Sequence, residues 1–220
     1  MIPERYRPDV QVLLSAWCDD APDTSPQSLA LALETAVGAI DSERKRQQID
    51  LVLTGLELTE LPLRRTEQAL LEVIDGAFES LLIVSFVVYR LPSVVDGVLR
   101  AYARGVSLRI CVEAPEPSGY RMAQDTLAAL GPDVRQQASI YIWPQEQRPH
   151  SASGGIGSLH TKCAVADNET LFVSSANLTG HAMQLNMELG VLVRGGPLPG
   201  QVHRYFGRLI DQGVLKKMEE

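Results

Sequence analysis

The amino-acid sequence predicts an α/β layered fold: a mixed, largely parallel sheet flanked by helices, with a small helical extension at the N-terminus. Three observations lead there. From Asp50 onward, short β-prone runs alternate with amphipathic segments of helical period, the pattern of strands joined by crossover helices. Residues 81–88 are a continuous apolar run, which a strand covered on both faces requires. The first 48 residues, by contrast, show helical periodicity and no strand pattern.

The elements follow in order. Residues 8–18 read as an amphipathic helix, with Val10, Leu13, Leu14 and Trp17 on one face. The polar, Pro-containing stretch DDAPDTSPQS is a loop. Residues 28–47 form a second helix, with Leu29, Leu33, Ala36, Val37 and Ile40 at helical spacing. Residues 1–48 are therefore a helical extension, and residues 49–220 a separate α/β domain. In that domain, strands are expected at 51–54, 81–88, 107–112, 140–143, 159–166, 170–173 and 187–193. Helices are expected at 63–78 (preceded by Pro62), 93–104, 119–130 (ended by Gly131-Pro132) and 199–213. The segment PQEQRPHSASGGIG, residues 144–157, reads as a mobile loop in which Arg148 is solvated.

Composition narrows the function. The chain has 20 basic and 27 acidic residues, a net charge of −7, and 45% hydrophobic residues, enough for a real core. Residues 1–150 hold 14 basic and 21 acidic side chains; residues 151–220 hold 6 of each. An anionic surface repels nucleic acid at long range, so any nucleic-acid contact belongs to the neutral C-terminal third. No run is long enough to span a bilayer, and the N-terminus lacks a signal-peptide run. Three cysteines without close spacing, Cys18, Cys111 and Cys163, argue against a disulfide scaffold or zinc cluster. A cytoplasmic location is the expectation.

Chemistry concentrates in SLHTKCAVADNETLFVSSANLTGHAMQLNMELGVLV, residues 158–193. His160 and Lys162 are two apart and share one face of an extended segment. Ser175 and Asn177 are likewise two apart, and Glu188 lies on the next strand. An unprotonated imidazole is a nucleophile. A lysine ammonium and the Ser and Asn side chains are donors for anionic oxygens. Glu188 is placed to hold the imidazole's other nitrogen, as in a catalytic triad. Donors around a histidine suit charge on phosphoryl oxygens. With no carboxylate cluster for metal ions, the expected chemistry needs no metal and no cofactor. Asp167 sits in a turn, where an Asx side chain bonds the local backbone.

The segment resembles the phospholipase D superfamily, whose signature is HxK, four residues, D, six residues, then GSxN. Here it runs His160-Thr161-Lys162, Asp167, then Ser174-Ser175-Ala176-Asn177, with Ser174 in place of the family glycine. The resemblance implies a phospholipase D-like layered fold. It implies a catalytic set of His160, Lys162, Asp167 and Glu188, with Lys162, Ser175 and Asn177 on the substrate phosphate. It also implies two-step catalysis through a phosphohistidine, with a second histidine as acid and base. One HxK motif occurs in this chain, so, as in single-motif members, a homodimer would share one site. Leu53-Thr54-Gly55, Val87-Val88-Tyr89-Arg90 and Ile142-Trp143-Pro144 resemble the DrmC subfamily of the DISARM antiphage system. That implies a nuclease-like activity on nucleic acid, DNA in preference to RNA, in bacterial defence alongside other DISARM proteins and away from membranes. The competing readings are a non-enzymatic subunit of the defence complex and a phospholipid-acting phospholipase or transferase.

Overall fold

The computed structural model describes residues 7–55, 65–85, 88–89, 91–114 and 122–218. The chain divides into two compact units, Met1–Lys45 and Arg46–Glu220. The first holds helix α1 (Arg7–Asp20) and the bulk of α2 (Pro26–Arg46). Helix α2 starts two residues earlier than its periodicity suggests. The Ser28 amide donates to Ser25 Oγ at 3.1 Å, making Ser25 the cap, and Pro26 occupies the first helical position, where its missing N–H costs nothing.

The second unit contains β1 (Gln48–Thr54), α3 (Thr66–Asp75), β2 (Ser80–Ser85), β3 (Val88–Tyr89), α4 (Pro92–Ala103), β4 (Ser107–Val112), α5 (Met122–Gln137) and β5 (Ser139–Ile142). It continues through β6 (Cys163–Ala166), β7 (Thr170–Ser174), β8 (Leu178–Thr179), α6 (Gly180–Gln184), β9 (Glu188–Arg194), α7 (Leu198–Asp211) and β10 (Lys216–Lys217). Eight strands form one sheet in the order β1-β9-β7-β6-β2-β4-β5-β10, and β3 pairs with β8 separately. The expected residues 63–64, 86–87 and 119–121 of these elements, and Arg90 of the Val87-Val88-Tyr89-Arg90 motif, lie outside the described residues.

The strand expected over 81–88 is shorter: its first part becomes β2, ending at Ser85, with both faces covered, while Val88–Tyr89 pair with β8 in the separate two-stranded sheet. Leu81 and Ile83 enter the core beneath α3 and α4, whereas Leu82 and Val84 enter the core beneath α7 with Cys111, Val165, Leu171 and Phe206. Burying each such side chain contributes about 1.5–3 kcal/mol.

The sheet is mixed, as expected, but its parallel part is smaller than the sequence suggests. Among the described residues, only β2-β4 and β4-β5 pair in parallel in this sheet; β6, β7, β9 and β1 pair antiparallel, as does β10 with β5. Parallel strands need a crossover of about a dozen residues or more. Helices α4 and α5 supply one between their strands. The turn between β6 and β7 does not: Asp167 (φ 52) and Asn168 (φ 60) take left-handed conformations, and the Glu169 amide donates to Ala166 O at 2.9 Å. Asp and Asn tolerate this backbone better than other L residues, and the tight turn reverses the chain.

Gly131-Pro132 does not end its helix. Gly131 (φ 76) kinks α5, and helical structure resumes to Gln137. A glycine without Cβ accepts the positive φ, and Pro132 then stands where a new first turn needs no N–H.

Candidate active site

The ladder of β6 starts at Cys163, so His160 and Lys162 occupy an extended approach to the strand rather than the strand itself. Pairing persists one step further, since the Ser174 amide donates to Lys162 O at 3.2 Å. Alternation along β6, β7 and β9 then puts Lys162, Ser174 and Glu188 on one face of the sheet, the face that carries α3.

Lys162 is buried and His160 exposed. The Lys162 ammonium donates to His160 O at 2.8 Å, and stands 3.1 Å from Nδ1 and 3.4 Å from Nε2 of the same residue. Its apolar stem borders a small cavity lined by Leu70, Phe172, Leu178 and Met183. Burial pulls the Lys162 pKa down from its ordinary value; the Glu188 carboxylate acts in the opposite direction.

Glu188 does not hold the imidazole as expected. Its two oxygens accept from Ser175 Oγ at 2.5 Å and from Asn186 Nδ2 at 3.1 Å. The Leu189 amide donates to Ser175 Oγ at 3.1 Å, fixing that hydroxyl at the end of β9. The carboxylate therefore orients a hydroxyl and favours the charged form of Lys162. Asn177 Oδ1 is buried and has no hydrogen-bond partner among the described residues.

Asp167 stands apart from this group. It lies five residues beyond Lys162, roughly 16 Å along the strand direction at about 3.3 Å per residue. Its carboxylate accepts three backbone amides at the start of β2: Phe78 at 2.7 Å, Glu79 at 2.8 Å and Ser80 at 2.8 Å. This geometry makes it a clamp between β6 and β2.

Ser174, the departure from the family pattern, has a local role. Its hydroxyl accepts the Ala176 amide at 3.0 Å, which shapes the turn carrying Ser175 and Asn177. Its cross-strand neighbour is Gly190, where an added Cβ would lie 3.1 Å from Ser174 Cβ and 2.7 Å from Val173 O.

One pairing beside the site escaped the sequence reading. Glu113, which follows β4, and Arg148, expected to be solvated, are buried and ion-paired with each other. A lone Glu after a strand and an Arg in a Gly/Ser loop carry no local pattern that would reveal this. The motif LTG also gains a meaning: the Thr54 hydroxyl donates to Thr66 Oγ1 at 2.7 Å and accepts the Thr66 amide at 3.2 Å, docking the start of α3.

Residues 70–210 match the family model described as "Cardiolipin synthase, PLD-like domain". The chain belongs to the PLD-like family. Within reach of this family, it is 27% identical over 154 residues to the DISARM protein DrmC of Bacillus paralicheniformis, covering 70% of this chain and 60% of that protein. It is 36% identical over 97 residues to Phospholipase D Z of Dictyostelium discoideum, covering 44% of this chain and 20% of that one. The matched regions thus span less than two thirds of these relatives. The PLD-like fold is shared with the crystal structure of a phospholipase D family member, Nuc from Salmonella typhimurium, at a TM-score of 0.56 and 19% identity, covering 79% of this chain and 99% of that one. Among the described residues, no helix is long and apolar enough to cross a membrane.

Proposed function

We propose that this PLD-like chain is a phosphodiesterase acting on nucleic acid, DNA in preference to RNA, within cytoplasmic antiphage defence of the DISARM type. The observation that carries the reading is the Lys162 ammonium 3.1 Å from the His160 ring, beside the Ser175–Glu188 pair. A ring nitrogen of His160 attacks phosphorus as the bond to the leaving oxygen breaks. That oxygen takes its proton from the His160 of a second copy. Water then gives the same imidazole a proton and attacks phosphorus, breaking the P–N bond and freeing the first histidine. Lys162, Ser175 and Asn177 are the donors for the equatorial oxygens, whose charge changes most in the transition state. No metal or cofactor enters these steps.

Two features support a site shared by two copies. The described chain offers one histidine beside Lys162, while the cycle uses two. Leu185 and Met187, which flank Asn186 next to Glu188, are 73% and 77% exposed, an apolar rim suited to a covering subunit. The match to the DISARM protein DrmC supports the defence role.

Purified protein should cleave single- or double-stranded DNA in EDTA, and H160A should not. Co-refolding wild type with an equal amount of H160A should leave about a quarter of the activity, because only dimers with two histidines turn over; half would mean independent sites. Absence of cleavage by wild type, with full phage protection by H160A, would overturn the enzymatic reading and leave a non-enzymatic subunit of the defence complex.

A second reading, transfer or hydrolysis at a phospholipid headgroup, draws on the cardiolipin synthase description of the family and the match to Phospholipase D Z. Headgroup release faster than DNA cleavage would establish it.

A further inference from the structure

The backbone just before His160 is held by a buried ion pair. Side chains of Arg148 and Glu113 are 4% and 10% exposed, and Arg148 Nη2 donates to Glu113 Oε1. Charges taken out of water cost several kcal/mol each before pairing, and a solvated loop needs no such device. Here each remaining polar atom of the pair has a partner on the main chain. Arg148 Nε donates to Trp143 O at 3.0 Å, Nη2 to the same oxygen at 2.5 Å, and Nη1 to Gly157 O at 3.1 Å. Glu113 Oε1 accepts the Ala114 amide at 2.7 Å, and Oε2 the Leu159 amide at 2.7 Å. The guanidinium also lies 5.5 Å from the Trp143 ring centroid.

The bonds converge on one stretch of chain. Gly157 is held by Arg148, Leu159 by Glu113, and Lys162 O by the Ser174 amide at 3.2 Å. His160 is the first residue after the Leu159 anchor. Its main chain therefore spans two fixed points, one on the ends of β4 and β5 and the other on β7.

We infer that Glu113 and Arg148 are positioning residues for His160: the pair ties the ends of two parallel strands to the nucleophile's backbone and sets where the imidazole stands against Lys162. This rests on the phosphodiesterase reading for its kinetic consequence, but not for its geometry. A displacement near 1 Å of a reacting group lowers turnover about 100-fold. Neither side chain reaches the substrate itself, so binding should be spared.

The test uses the full chain with ¹⁵N-labelled histidine, in wild type, E113L/R148M, R148K and E113Q, and a DNA oligonucleotide as substrate. The double variant replaces the pair with apolar side chains of comparable volume, a change that buried ion pairs often tolerate. It should keep its circular dichroism and cooperative melt. The His160 ring signal, assigned by its loss in H160A, should shift and broaden while those of His181 and His203 stay in place. Its kcat should fall about 100-fold with KM within about twofold. R148K, which keeps the charge but not the planar fork, should fall in between. A folded double variant with the wild-type His160 signal and wild-type kcat would overturn the inference. If that variant does not fold, E113Q decides: a carboxamide has one acceptor oxygen and cannot accept from both Arg148 and the Leu159 amide, so one tether is lost, and an unmoved His160 signal there overturns the inference equally. Should wild type cleave nothing, the ring signal still tests the positioning, and only the phosphodiesterase reading falls.

Discussion

Ser174 and Gly190 face each other across β7 and β9, and the absent side chain of one makes room for the other. An added Cβ at position 190 would also lie 2.7 Å from Val173 O and 3.0 Å from a Phe172 ring carbon. G190A should therefore destabilise the fold by about 1–3 kcal/mol, the cost of overpacking. Adding S174G should recover only part of this, because the Val173 carbonyl stays in the way. Urea unfolding of the three proteins measures it, and a fully rescued double variant would contradict the packing account.

Asp167 accepts three amides at the start of β2 and sits at the far end of β6 from His160. Its carboxylate contributes stability, since hydrogen bonds to a charged acceptor are worth about 1.5–3 kcal/mol. D167A should lower the melting temperature by several degrees. Activity per folded molecule, measured well below the transition, should stay within about twofold of wild type. A large loss of kcat in a fully folded D167A would return Asp167 to the chemistry.

Burial lowers the Lys162 pKa relative to the unfolded chain. The unfolded state therefore binds more protons in the window between the lowered folded value and the ordinary lysine value of 10.5. Stability owed to this group rises with pH across that window and is flat below it. The difference in unfolding free energy between wild type and K162M should increase as pH climbs toward 10.5. A difference that falls with rising pH would mean the ammonium is held by its partners more strongly than burial disfavours it.

Burial pushes the thiols of Cys111 and Cys163 up to about 12, whereas Cys18 is exposed. Thiolate is the reactive form. A thiol reagent at pH 8 should label one cysteine quickly in the native protein and all three in denaturant. Rapid native labelling of Cys163, next to Lys162, would show that the base of the site opens.

Local pattern alone carried much of this protein. The HxK spacing put His160 and Lys162 side by side. Asp167-Asn168 marked a turn that only residues tolerant of left-handed backbone can make, and the apolar run opening at Leu81 announced a strand buried on both faces, which ends at Ser85. All of these depend on residues within a few positions of each other, where period and backbone sterics decide. The tertiary structure decided the rest. Asp167 reaches amides 87 to 89 residues away, and Glu113 meets Arg148 across 35 residues. Glu188 turns to Ser175, 13 residues away, rather than to the histidine. The direction of strand pairing, too, followed from which segments had length enough to cross over. Such contacts form only when the chain closes on itself, so no short-range periodicity records them.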